Sequence, residues 1–124
     1  MITAPPDQDQ RDRIRDELDA TLFVEAAAGS GKTSALVGRV VALVASGAVE
    51  LREIAAITFT EKAGAELRDR LRGELDALAS ELDPDSEQAA RCHLALTQLY
   101  GAAIGTLHSF AERILTEHPV EAQL

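Results

Sequence analysis

The segment from Phe23 to Thr33, "FVEAAAGSGKT", constrains this chain more than any other. The apolar run "TLFVEA", with β-branched and aromatic residues, leads into it, and the amphipathic run "TSALVGRVVALVAS" leads out. A strand, a glycine-containing loop and a helix in that order predict an α/β layer. Gly29 and Gly31 allow backbone conformations that a Cβ would hinder. The loop N–H groups and the helix N-terminus then converge on a point that favours anionic oxygen. Ala26, four further residues and Gly31-Lys32-Thr33 match the Walker A pattern with alanine in first position. Lys32 brings a charge for β- and γ-phosphates, and Thr33 a hydroxyl for Mg²⁺. An ordinary strand-to-helix turn would explain the glycines but not Lys and Thr in that order.

The rest of the chain continues the alternation. "DQDQRDRIRDELDA" reads as a short helix with Ile14 and Leu18 on one face. The helix after the loop carries a stripe of Leu36, Val40, Leu43 and Val44, and Gly47 stops it. "LREIAAITFT" is a second strand centred on Ile54 to Phe59. "EKAGAELRDRLRGELDALASEL" is a helix with Leu67, Leu71, Leu75, Leu78 and Leu82 on its apolar face. "DPDS" breaks it, and Asp85 with Gln88 three residues on is expected to cap a further helix running through Leu99, with Gly101 ending it. "AAIGT" is a third strand, and "SFAERILTEH" a last helix stopped by Pro119. This order predicts an α/β domain with a parallel sheet flanked by helices, small enough to look like part of a larger fold.

Composition narrows the function. The chain has 124 residues and a net charge of −9, which argues against a generic basic nucleic-acid binder. Its acidic clusters, around Asp7 to Asp19 and in "ELDPDSE", read as solvated faces. Arginine greatly outnumbers lysine: Lys32 and Lys62 are the only two lysines. A single cysteine, Cys92, forbids an internal disulfide and fits a reducing, cytoplasmic setting; it reads as a small apolar filler. The N-terminus has no apolar signal-peptide core, and the most apolar run, "ALVGRVVALVASGAV", is short and carries Arg39, so no membrane span is expected.

The C-terminal ends of parallel strands are where α/β sheets bind ligands. Phe59, between Thr58 and Thr60, lies at one such end. It could be an exposed aromatic for stacking on a nucleobase, or a core residue with Thr60 as a helix cap. At the next strand end, "IGTLHSF" places Thr106, His108 and Ser109. His93 and His118 read as surface or helix-end residues, and no metal-ligand spacing is present.

Taken together, "VEAAAGSGKT", "AAITFTEKAGAELRDRL" and "IGTLHSFAERIL" resemble, in order and spacing, motifs I, Ia and Ib of the UvrD/Rep-type superfamily 1 helicases. Glu25 before the loop, and "TEKA" in place of the commoner "TNKA", look closer to the RecB/AddA-like branch. The resemblance implies a partial RecA-like, P-loop NTPase fold, with residues 1–20 a tail and helix and residues 21–124 the N-terminal part of the first motor domain. It implies ATP and Mg²⁺ held by Ala26, Ala27, Ala28, Gly29, Ser30, Gly31, Lys32, Thr33 and Ser34, with Lys32 and Thr33 serving catalysis and Thr33 on the metal. Gln10, or less favourably Gln8, would read the adenine, although the usual Leu/Asn lead-in is missing. Thr58, Phe59, Thr60, Lys62, Thr106, His108 and Ser109 would contact single-stranded DNA. The parent enzyme would be an ATP-dependent DNA helicase that couples ATP hydrolysis to translocation along single-stranded DNA in recombination or repair. Its partners would be the rest of the helicase chain and a nuclease or recombination protein.

Two departures stand out. Gly64 occupies a position where the family usually has alanine, which should loosen the helix by about 1 kcal/mol at most. No apolar strand ending in Asp-Glu is present, so the Walker B carboxylate and an arginine finger are expected beyond Leu124, and the isolated chain is expected to bind ATP without hydrolysing it. A small phosphate-loop kinase and a non-catalytic nucleotide-binding module are the competing readings. The kinase would need clustered arginines after the third strand, where only Arg113 stands.

Overall fold

The structure, a computed structural model, describes residues 8–22 and 32–117. Helix α1 spans Gln8–Asp16 and α2 spans Lys32–Ala45. A 3₁₀ turn at Leu51–Glu53 leads into strand β1, Ala55–Thr58, and then into α3, Glu61–Glu81. Helix α4, Glu87–Gln98, runs through a 3₁₀ turn at Leu99–Gly101 into β2, Ala103–Thr106, and α5 follows at Leu107–Glu117. The two strands pair in parallel, Ala55 opposite Ala103 through Thr58 opposite Thr106. The architecture is therefore α/β, a small parallel sheet flanked by helices, as expected. Four of the six residues of the strand read at Thr21–Ala26 lie outside the described residues; Thr21 and Leu22 are irregular.

The leucine repeat of α3 performs as its spacing predicts. Leu67, Leu71 and Leu75 are fully buried, while Leu78 and Leu82 pack at the margin of the core. On α2 the apolar stripe is rotated from the expectation: Val37 joins Val40 and Val44 in the core, and Leu36 is 42% exposed. A helix offers overlapping i, i+3, i+4 stripes, and the neighbouring elements select among them. Cys92 and Ala95 of α4 and Ile104 of β2 complete the core, and Cys92 is a small buried filler with no disulfide.

The cap of α4 corrects the expectation at Asp85. Ser86 is the N-cap, its Oγ accepting from the Ala89 amide at 3.1 Å. The preceding turn decides this: Asp83 Oδ1 accepts from the Asp85 amide and the Asp83 carbonyl accepts from Ser86 Oγ, which commits Asp85 to the turn. Helix α5 starts two residues earlier than the pattern suggested, because Thr106 caps it through the Ser109 amide at 3.1 Å. The helix stop at Pro119 lies outside the described residues. Gly47 ends α2 as expected, with a positive φ of 80°. A Cβ there would also meet the Arg91 guanidinium at 2.9 Å.

The arginine bias has a structural use. Arg39 donates to the carbonyls of Ile14, Glu17 and Ala20, fastening the end of α1 to α2. Arg91 donates to the Ala45 carbonyl at the C-terminus of α2. Arg68 donates to four carbonyls around the start of β2. A planar fork of five donors suits several carbonyls at once, which a lysine ammonium cannot match. Lys32 and Lys62 make no hydrogen bond or ion pair among the described residues and are exposed. No helix among the described residues is long and apolar enough to cross a membrane.

Candidate functional site

The parallel register brings the two strand ends to one level. Thr58 Oγ1 is shared between the Thr60 carbonyl at 3.0 Å and the Gly105 carbonyl of β2 at 3.2 Å. Thr60 caps α3, its Oγ1 accepting from the Ala63 amide at 3.1 Å. Thr106 and Ser109 close the second turn on themselves: Ser109 Oγ donates to the Thr106 carbonyl at 2.9 Å, and Thr106 Oγ1 lies 3.2 Å from Ser109 Oγ. The hydroxyls of Thr58, Thr60, Thr106 and Ser109 are thus engaged in shaping the turns.

Other side chains are left to face outward. Phe59 is fully exposed, at 101%, which decides against the core alternative, while Thr60 does serve as a cap. Lys62 is exposed on the first turn of α3. Leu107, directly after Thr106, is 66% exposed and leaves the sheet beside Phe59. His108 is exposed and its Nε2 lies 3.1 Å from Glu112 Oε1, one helical turn on. An aromatic ring, an aliphatic side chain, an imidazole and an ammonium therefore share one end of the sheet. Leu107 is not among the residues the sequence singled out, although it lies inside "GTLHSF".

Helix α3 continues towards the other end of the site. Its Arg70 donates through Nη2 to Ser34 Oγ in the first turn of α2. Nothing in the spacing of "ELRDRL" announced that contact. Lys32 and Thr33 open α2, both exposed, and the Thr33 hydroxyl has no partner among the described residues. A free hydroxyl oxygen at a helix N-terminus is a donor type that suits Mg²⁺, so Thr33 fits the metal role. The loop residues Ala26, Ala27, Ala28, Gly29, Ser30 and Gly31 lie outside the described residues, as does His118.

Beside Lys32 is a cavity of about 320 Å³ lined by Ile14, Leu22, Ala35, Leu36 and Arg39. Its walls come from α1, α2 and the stretch between them. Gln10 is exposed on α1, and the Gln8 amide donates to Asp12 Oδ1 at 2.7 Å, so neither glutamine lines the cavity. His93 is exposed on α4, away from both strand ends in the chain.

The sequence profile of the UvrD/REP helicase N-terminal domain matches residues 7–124. An ATP-dependent helicase/nuclease subunit of Alkaliphilus metalliredigens is 33% identical over 103 residues, 83% of this chain. The exonuclease/helicase subunit RexA of Lactococcus lactis subsp. cremoris is 42% identical over 93 residues, 75% of this chain. An ATP-dependent helicase/nuclease subunit of Desulforamulus reducens is 39% identical over 102 residues, 81% of this chain. In each case the match spans 8% of the relative's length. These relatives bear out the RecB/AddA-like branch, and the chain belongs to the UvrD/REP helicase N-terminal domain family.

Proposed function

We propose that this chain is the ATP-binding, DNA-contacting portion of the first motor domain of an ATP-dependent DNA helicase. Residues 21–124 form that portion and residues 1–20 a leading segment. The observation that carries the reading is the parallel register of Thr58 and Thr106, which sets Phe59 and the Leu107–Ser109 turn side by side at the ligand-binding end of the sheet.

On the nucleotide side, the loop from Ala26 to Gly31 and the N-terminus of α2 cradle phosphate oxygens, and Lys32 adds its charge. Ser34 stands on the same first turn, held by Arg70. Mg²⁺, when bound through Thr33, neutralises charge on the phosphates. The cavity between α1 and α2 has a largely apolar lining suited to a purine ring, while Gln10, exposed on α1 outside that lining, would have to turn towards it to read the adenine edge.

On the DNA side, Phe59 stacks against a base, with Leu107 as its aliphatic neighbour. His108 and Lys62 meet the backbone, and Thr58, Thr60, Thr106 and Ser109 hold the turns that present them. The chain's charge of −9 opposes phosphate, so the isolated chain binds single strands weakly.

Hydrolysis needs an acidic group to hold Mg²⁺ and a residue to position water. Among the described residues β1 ends in Thr58 and β2 in Thr106, neither acidic. In this reading the isolated chain binds ATP without turning it over, and hydrolysis coupled to movement along single-stranded DNA belongs to the parent enzyme in repair or recombination. The relatives are named as one subunit of a helicase/nuclease, which supports a partner chain. Equilibrium binding of a fluorescent ATP analogue to wild type and Lys32→Ala tests the nucleotide assignment. Lost binding in a variant with an unchanged circular dichroism spectrum is expected; unchanged affinity in the folded variant would sink it.

A further inference from the structure

Arg68 lies two turns into α3, on the same helix that Thr60 caps beside Phe59. It is half-buried, and its guanidinium reaches across to the chain segment that enters β2. Nη1 donates to the carbonyls of Leu99 at 2.6 Å and Tyr100 at 3.2 Å. Nη2 donates to those of Ile104 at 2.9 Å and Ala102 at 3.5 Å. Arg68 has no carboxylate partner among the described residues, so its charge is met there by carbonyl dipoles alone.

These four carbonyls run from Leu99, at the start of the 3₁₀ turn that follows α4, to Ile104, the second residue of β2. A single side chain thus ties together the whole approach to Thr106. Two further contacts bind the same elements closer to the site. Thr58 Oγ1 donates to the Gly105 carbonyl at 3.2 Å. Gly64 of α3 packs so near Gly105 that a Cβ would come within 3.1 Å of its Cα.

We propose that Arg68 is a positioning residue that fixes the Thr106–Ser109 turn relative to the Phe59 turn. It rests on the reading of both turns as single-strand contacts. Charge-assisted hydrogen bonds from a rigid fork are strong and directional. Helix α3 starts at the first turn and grips the second, so the two contact points move as one body. Lysine at this position keeps the charge but offers a point donor on a flexible stem, which cannot hold four carbonyls in one geometry.

The test compares wild type, Arg68→Lys, Arg68→Ala and the exposed control Arg72→Lys on the same helix. Two quantities are read: amide hydrogen exchange by mass spectrometry, and binding of a fluorescent oligothymidine at low salt. In both Arg68 variants, exchange across residues 102–109 should rise about tenfold or more while the α2 core is little changed. Oligothymidine affinity should fall about fivefold or more in Arg68→Lys despite the retained charge, and Arg72→Lys should behave as wild type. Unchanged exchange across 102–109 overturns the proposal, as does full rescue of affinity by Arg68→Lys. A local rise in exchange in a chain whose wild type shows no oligothymidine affinity supports the clamp and overturns the single-strand reading instead.

Discussion

Thr58 and Thr106 are paired in parallel register as the last residues of β1 and β2, and Thr58 Oγ1 reaches across to the Gly105 carbonyl. Two segments separated by 48 positions in the chain therefore leave the sheet as neighbours, their turns locked by their own hydroxyls. What faces outward from those turns is Phe59 on one side and Leu107 with His108 on the other.

Phe59→Ala should weaken single-strand binding and leave stability alone. The ring is fully exposed, so its loss forfeits no core burial. Stacking of one base on an aromatic is worth about 1–3 kcal/mol, about a five- to 150-fold loss of affinity. Anisotropy titration with a fluorescent oligonucleotide, beside a thermal melt, checks both halves. A melting temperature that falls with Phe59→Ala would show the ring to be packed after all.

Two glycines of α3 should respond differently to alanine. Gly73 has open space where a Cβ would stand, so Gly73→Ala should stabilise the helix by about 0.5–1 kcal/mol. At Gly64 the new Cβ would crowd Gly105 Cα and Thr58 Oγ1, so Gly64→Ala should gain about 1 kcal/mol less, or lose stability. Urea unfolding of the two variants gives the difference directly. The expected loosening at Gly64 is thus set against a close helix–strand approach that a side chain would disturb.

Cys92 should be inert in the folded chain. It is fully buried, and desolvation pushes its thiol above the ordinary value. The folded state therefore keeps the proton after the unfolded chain has released it. This contribution is complete below the ordinary thiol range and is lost as pH rises from that range through the elevated folded value. A thiol reagent at neutral pH should react only at the rate of unfolding, and rapidly in denaturant. Fast reaction in native buffer would contradict the burial.

Much of this was legible because some residues carry strong local signals. The leucines of α3 recur at helical spacing and face the core, and Thr60 and Gly47 carry the chemistry of a cap and a stop. The α2 face was harder, since Leu36 and Val37 each fit an apolar stripe and only the packing partners choose. Asp85 and Ser86 are both good caps, and the Asp83 turn made the choice. Arg39, Arg68 and Arg91 were illegible as clamps. Their partners are main-chain carbonyls 19 to 46 positions away, and a carbonyl leaves no mark in sequence. At the candidate site, which residues stand at the two strand ends was visible from motif order, whereas the engagement of the hydroxyls within their turns depended on register.

The most direct test of the account is photocrosslinking of a 4-thiothymidine oligonucleotide to the chain, mapped by peptide mass spectrometry. The account predicts adducts at Phe59 and within Leu107–Ser109, both suppressed by unlabelled single strand. Adducts confined to other surfaces, or two turns that never label, would contradict it.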